Sequence, residues 1–306
     1  MARRPRRGLT ALLIATVLVG CTGTGVGEPS TPTLAPTTSS TTTTTTSPTI
    51  TTTIPPSTTT TTSAATSTTR PEAVDADVSV PGGDGPFPAV VLVHGGGWVT
   101  GGPRQIEPLG GYLNDNGFMT VNTSYTLATL DSAAYPDAVD DVACAVRYAA
   151  THPDSDGTVT LIGHSAGAHI GAIVALTGHE YGGDCPIPGT GVPDRFVGLA
   201  GPYDVSRLGL AVAAFFGGGP ERFPDAWEAG NPQLLTDENP NLEALIMYGE
   251  LDGIVSDTFA FDFHDALLGS GADSLLELVE GARHNDMHDP DIVGDLIVTW
   301  LERQDS

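Results

Sequence analysis

Residues 159–174 read VTLIGHSAGAHIGAIV. Four residues of strand character, Val159 to Ile162, run into Gly163-His164-Ser165-Ala166-Gly167, and an alanine-rich apolar string follows. The order is strand, tight turn, helix: β-branched and large apolar residues favour the first part, glycines the turn, and alanine the last. Ser165 stands at the turn. A Gly-x-Ser-x-Gly pentapeptide is short. Alone it fits a nucleophile lifted out of a sharp corner and a small residue filling that corner equally well, so the flanking chain must decide.

Outward from this stretch, short apolar runs alternate with helical patterns. Strands are expected at Asp75–Val80, Ala89–Val93, Phe118–Asn122, Thr158–Ile162, Phe196–Ala200, Ala244–Tyr248 and Leu275–Val279. Helices are expected at Pro136–Ala150, where Val139, Val142, Ala143 and Val146 share a face, at Ala166–Leu176, and at Asp291–Leu301. Such alternation implies an α/β fold with a mostly parallel sheet covered by helices on both faces. A segment of about 35 residues broken by glycine and proline, Ser206–Asn241, reads as a small cap insertion.

The second informative stretch is His94-Gly95-Gly96-Gly97-Trp98, directly after the strand Ala89–Val93 and 71 residues before Ser165. HGGGW and GHSAG, in this order and each after a strand, resemble the α/β-hydrolase esterases of the hormone-sensitive-lipase-like and feruloyl-esterase-like groups. Kynurenine-formamidase-like enzymes share the arrangement. The resemblance covers roughly residues 75 to 303 and implies the α/β-hydrolase fold. It implies Ser165 as nucleophile, and backbone N–H groups of Gly96, Gly97 and Ala166 as an oxyanion hole, the site that stabilises charge on a tetrahedral intermediate. His94 then shapes the glycine loop rather than moving protons. The fold places its acid and its base after the serine, in that order. Asp252 follows the strand ending at Tyr248-Gly249 and fits the acid, with Glu250 and Asp257 as rivals. His284 follows the strand Leu275–Val279 and fits the base, with His288 as rival. His152, His169, His179 and His264 lack a strand-end context and read as surface or structural. Relatives often carry Tyr-Arg-Leu where this chain has Tyr125-Thr126-Leu127, so the arginine's ion pair is in doubt here. In Gly201-Pro202-Tyr203-Asp204, which resembles a family segment, Tyr203 is a candidate pocket wall and Asp204 structural. Trp98, Phe215 and Trp227 are further candidates for the pocket, with Phe216 beside them. His284, Asp286, His288 and Asp289 mimic a ligand set, but their place in the loop after a strand explains them better. No metal and no cofactor are expected.

The chain has 306 residues with 37 acids against 12 basic residues, all of them arginine. So acidic a protein repels nucleic acid and anionic headgroups. The excess is either a solubilising surface or a means of steering a cationic substrate. Four arginines, Arg3, Arg4, Arg6 and Arg7, precede an apolar core, Leu9–Val19, that is too short for a permanent span. Leu18-Val19-Gly20-Cys21 looks like a bacterial lipobox. We expect a signal peptide at 1–20, removal of which leaves eight arginines against 37 acids, a net charge of −29. Cys21 would carry lipid and anchor the protein to the outer face of the cytoplasmic membrane, which several acyl chains do firmly; an ordinary secretory signal is the alternative, and twin-arginine export stays open. Residues 21–72 are dominated by Thr, Ser and Pro and read as a disordered tether, averaging roughly 35–40 Å end to end over about 45 residues. The catalytic domain is expected at 73–306. With Cys21 lipidated, Cys144 and Cys185 are left either as a disulfide or as two buried thiols; an oxidising compartment favours the disulfide.

The expectation is therefore an exported serine esterase acting on soluble esters with short or medium acyl groups, or on acetyl or feruloyl groups of a polysaccharide. Amide or formamide hydrolysis by the same residues is the alternative. A tethered binding protein on an inactive hydrolase fold would lack one of Ser165, Asp252 and His284, and all three are present. The sequence sets no oligomeric state.

Overall fold

A computed structural model describes residues 67–69 and 74–304. The expected signal peptide, Cys21 and most of the expected tether lie outside the described residues. In chain order the elements are β1 (Ser67–Thr69), β2 (Ala76–Val80), β3 (Phe87–Val93), α1 (Glu107–Asp115), β4 (Met119–Thr123), α2 (Asp137–Thr151), β5 (Ser155–His164), α3 (Ala166–Thr177), β6 (Arg195–Leu199), α4 (Ala213–Phe216), α5 (Pro224–Ala229), β7 (Glu243–Gly249), α6 (Asp257–Ser270), β8 (Asp273–Val279) and α7 (Pro290–Gln304). They form one eight-stranded sheet of order β1-β2-β4-β3-β5-β6-β7-β8. From β4 to β8 every pairing is parallel, while β1 and β2 pair antiparallel at one edge.

Alternation along the buried strands sorts the side chains into two layers. Val91, Val93, Leu161, Phe196 and Ile246 face a core shared with α2, α3 and α6, built on Val139, Val142, Ile170, Ile173, Phe263 and Leu267. Val90, Leu92, Ile162, Val197, Leu245 and Met247 face the opposite core, closed by Ile106, Leu109 and Leu113 around α1 and by Val293, Ile297 and Leu301 of α7. Helices thus cover both faces, as an α/β-hydrolase sheet requires. All twelve residues of α3 are buried. A helix that is apolar all round has no solvent face to offer, which explains why residues 166–177 carry hardly any polar side chains.

Ser67–Thr69 departs from the expected boundary of the tether at residue 72. These residues pair with β2, Ser67 opposite Val80 and Thr69 opposite Val78. Threonine suits an extended backbone, and the pairing covers a strand edge that would otherwise present free backbone groups.

Cys144 of α2 and Cys185 are joined as a disulfide, with Cα atoms 5.6 Å apart and a sequence separation of 41. Closing a loop of that length contributes about 4 kcal/mol by the chain-entropy argument. The same excursion is held by Arg147, whose guanidinium donates to the carbonyls of Tyr181 (2.6 Å) and Gly182 (2.7 Å).

Candidate active site

Five parallel strands, β3, β5, β6, β7 and β8, end along one edge of the sheet, and each is followed by a loop that carries candidate chemistry. Open α/β sheets bind ligands at this edge. Three non-glycine residues among those described have positive φ: Trp98 (64°), Ser165 (53°) and Ala200 (51°). They lie just after β3, β5 and β6, so the unusual backbone of the molecule gathers at this edge.

Ser165 sits between β5 and α3 with φ 53° and ψ −118°. Its N–H donates to the carbonyl of Leu199 at 2.8 Å. The corner is pressed against β3: a Cβ on Gly167 would lie 2.3 Å from the carbonyl oxygen of Val93 and 2.5 Å from that of His94. Only glycine permits this approach, and it brings the His94–Trp98 loop beside the serine. Gly96 (φ 126°) and Gly97 (φ 58°) turn that loop. A Cβ on Gly96 would lie 1.9 Å from the carbonyl oxygen of Thr100. Gly96, Gly97, Ala166 and Ser165 line one cleft.

Nε2 of His284 is 2.9 Å from Oγ of Ser165, and Nδ1 of His284 is 2.7 Å from Oδ2 of Asp252. The Asp252 side chain is only 3% exposed. Burial pushes its carboxyl upward, but the hydrogen bond from His284 and those from the N–H groups of Val255 (2.9 Å) and Ile254 (2.8 Å) outweigh it and hold Asp252 below the usual carboxylate value. An ionised carboxylate only accepts hydrogen bonds. Nδ1 of His284 therefore carries a proton and donates it, which leaves Nε2 to accept from the Ser165 hydroxyl. The rivals stand elsewhere: Glu250 accepts from the N–H of Gly281 at 2.9 Å, and Asp257 accepts from the Ser256 hydroxyl. His288 reaches the cleft but stacks edge-on against His164, with centroids 4.7 Å apart.

Other histidines act as struts. His94 is buried, stacks on Tyr125 at 4.3 Å, and its Nδ1 lies 2.7 Å from the carbonyl of Gly95; the Tyr125 hydroxyl donates to the carbonyl of His94. His169 is wholly buried, which pushes its pKa down to about 4 and keeps it neutral. Its Nδ1 accepts from Nε1 of Trp98 (3.1 Å), and its Nε2 donates to the carbonyl of Gly230 (2.9 Å). This fastens the glycine loop to α3 and to the insertion. Where relatives carry arginine, Thr126 instead gives its N–H and its hydroxyl to Asp141, both at 2.7 Å.

Of the aromatic residues expected around the pocket, Trp98 lines the cleft and Tyr203, Phe215, Phe216 and Trp227 do not. Tyr203 is fully buried and stacks on Phe263 at 4.2 Å. Its ring folds back over β6, where a Cβ on Gly198 would lie 2.0 Å from the tyrosine oxygen; Pro202 faces the cleft in its place. Phe215 is fully buried among Trp98, Tyr135, Phe216 and His169. Trp227 packs on Phe216 and donates Nε1–H to the carbonyl of Gly218. The insertion buries its aromatic rings in the core shared with α2 and α3, behind Trp98. Asp204 accepts from Ser206 and Asn231 and ties the start of the insertion to a later turn of it, a structural role. The cleft wall instead includes Gln105, Leu208, Ala211, Ile254, Val255 and Asn285. These lie in the strand-end loops and in the insertion, but no motif singles them out.

The family profile for BD-FAE matches residues 77–267, more than half of the chain. The chain belongs to the BD-FAE family. The matched region holds the glycine loop, Ser165 and Asp252; His284 lies beyond its end. Over 226 residues the chain is 26% identical to a "probable isoprenylcysteine alpha-carbonyl methylesterase" of Arabidopsis thaliana, covering 66% of this chain and 46% of that protein. The BD-FAE chain described here thus spans about half the length of that curated relative. Among solved structures, a truncated carbohydrate esterase from gut microbiota superposes with a TM-score of 0.64 at 18% identity, over 76% of this chain and 91% of that one. Esterase 2 of Thermogutta terrifontis superposes with a TM-score of 0.59 at 20% identity, over 79% and 91%. At these identities the likeness to solved structures is one of fold.

Proposed function

We propose that this BD-FAE protein hydrolyses carboxylic esters with Ser165 as nucleophile. The observation that carries the reading is the relay from Ser165 Oγ through His284 to Asp252, at 2.9 and 2.7 Å, opening into the cleft lined by Gly96, Gly97 and Ala166. Ser165 Oγ attacks the acyl carbon as Nε2 of His284 takes its proton. The carbonyl oxygen becomes an oxyanion facing the N–H groups of Gly96, Gly97 and Ala166, each such donor being worth about 10²–10³ in rate. Collapse expels the alcohol, which receives the proton from His284, and leaves an acyl-serine. Water, deprotonated by His284, attacks this ester and frees the acid and Ser165.

The cleft encloses about 390 Å³, and its lining contains no Asp, Glu, Lys or Arg. A charged substrate would lose hydration there without a partner. Trp98, Pro202, Leu208, Ala211, Ile254 and Val255 make its walls apolar, and Ile254 is 72% exposed at the rim. Apart from histidines and Ser165, only Gln105 and Asn285 offer polar side chains, few for a sugar. These features favour small, uncharged esters of short to medium acyl length over polysaccharide-linked acetate. The test is a series of p-nitrophenyl esters from acetyl to dodecanoyl, set beside acetylated xylan and an aryl formamide. Short to medium esters should be turned over best. Ile254→Asn should lower kcat/KM for the medium chains about tenfold more than for acetate, the effect of losing one apolar contact. Turnover of xylan acetate or of the formamide alone would overturn this substrate reading.

For location, the basic, apolar and LVGC segments of residues 3–21 and the Cys144–Cys185 disulfide support export as a lipoprotein anchored through Cys21. Mass spectrometry of the purified protein should find Cys21 lipidated at the new N-terminus; an unmodified peptide running through residue 21 would reject the anchor.

A further inference from the structure

Beside the relay, and not part of it, lies a buried histidine whose role the reaction steps do not assign. His164, immediately before the serine, is 5% exposed, and its Nε2 lies 2.9 Å from the carbonyl oxygen of His284. Its ring is 5.0 Å from that of His284 and 4.7 Å from that of His288. On its other side it meets the glycine loop, where a Cβ on Gly95 would lie 2.8 Å from Nδ1. This one imidazole is therefore against the base and against Gly95 of the glycine loop, and it is the residue that precedes the nucleophile in the chain.

A carbonyl oxygen accepts only, so Nε2 of His164 carries a proton and donates it. Burial, and after it the neighbouring His288 and His284, push the pKa of His164 down to about 3, and the ring stays neutral. With Nε2 committed to a backbone carbonyl, His164 is not a rival base. What it holds is the main chain of residue 284. The side chain of His284 must aim Nε2 at Ser165 and Nδ1 at Asp252 at once, and it has two free torsions. Fixing the carbonyl of the same residue fixes where those torsions start. The link spans 120 residues of sequence and joins the loop after β8 to the last residue of β5.

We propose that His164 is a positioning residue that sets the base: its Nε2–H bond to the His284 carbonyl locks the base-bearing loop to the nucleophile-bearing strand. The proposal rests on the serine-esterase reading. The comparison is between His164→Gln, whose side-chain amide keeps a donor near the position of Nε2, and His164→Leu, which keeps volume without a donor. With p-nitrophenyl acetate, His164→Leu should lower kcat about 100-fold, the size of effect that a misplacement of about 1 Å produces. His164→Gln should recover most of that loss. The rate of labelling by a fluorophosphonate should follow kcat in both variants, because it reads activation of Ser165 without substrate binding. A His164→Leu variant with wild-type kcat, or a His164→Gln variant as impaired as His164→Leu at an equal melting temperature, would overturn the proposal. Should either variant fail to fold, nitrogen-15 imidazole spectra of the wild-type protein decide: His164 should remain the Nε2–H tautomer from pH 5 to 9, and titration or the Nδ1–H tautomer would reject it. These spectra also stand if the wild-type protein hydrolyses no ester, an outcome that removes the esterase reading and leaves the link itself tested.

Discussion

Ser165→Ala should lower kcat for p-nitrophenyl acetate by about 10⁶-fold, the loss seen when the nucleophile of such a relay is removed. The whole reaction passes through Oγ, and no other hydroxyl or thiol is hydrogen-bonded to Nε2 of His284 among the described residues. A fluorophosphonate should label the wild-type protein once, at Ser165, and should not label the variant. An active Ser165→Ala protein, or a label on another residue, would remove Ser165 from the mechanism. A second variant separates chemistry from fold. The Ser165 backbone, φ 53° and ψ −118°, lies in the region that glycine occupies at the first central position of a type II′ turn. A side chain there stores strain of order 1–3 kcal/mol. Ser165→Gly should therefore be as inactive as Ser165→Ala yet at least as heat-stable as the wild type. The corner is held open for a hydroxyl at a cost in stability. A melting temperature that falls in both variants alike would argue instead that the serine side chain supports the turn.

The corner in VTLIGHSAGAHIGAIV is legible because its determinants are local, whereas the role of Ser165 is read from the rest of the chain. Strand, glycine turn and buried helix are all written within residues 155–177, and the His94–Trp98 loop declares itself by three consecutive glycines after a buried strand. Asp252 and His284 are readable from strand ends in the right chain order. Helix α6 is not: Phe259, Phe261 and Phe263 alternate as in a strand, yet Phe259, Phe263 and Leu267, spaced by four, are buried with Ala260 beside them, while Phe261 stays exposed. Helix α1 hides behind Gly110 and Gly111, low-propensity residues within a nine-residue helix. The pocket failed for a different reason. Large aromatic rings gain most by burial, so Tyr203, Phe215 and Trp227 fill the interior, and the cleft is walled by residues such as Leu208, Ala211 and Ile254 that no pattern marks. His164 belongs to the same class: its partner lies 120 residues away, and nothing in the sequence near residue 164 announces a bond to a carbonyl.

Asp252→Asn should lower kcat about 10⁴-fold while leaving the cleft intact, for a reason that lies in the hydrogen bonds of Asp252. Oδ1 of Asp252 accepts from two backbone N–H groups, those of Ile254 and Val255, and Oδ2 accepts from Nδ1 of His284. An amide in that place must keep its oxygen toward the two backbone donors. Its NH₂ then points at Nδ1 of His284 and makes that nitrogen an acceptor. The proton moves to Nε2, the atom that must receive the proton of Ser165, so the base presents the wrong tautomer. The KM should change little, because Asp252 does not line the cleft. Stability supplies an independent reading. Because the folded protein holds Asp252 below the usual carboxylate value, its carboxylate contributes stability at neutral pH. That contribution is lost as the pH falls from the ordinary carboxylate value through the lower value of the folded state. The substituted amide does not titrate. The difference in melting temperature between the wild type and Asp252→Asn should therefore be largest near neutral pH and shrink below the ordinary carboxylate range. A gap that stays constant into strong acid would mean that Asp252 is not held ionised by its partners, and the tautomer argument would fall with it.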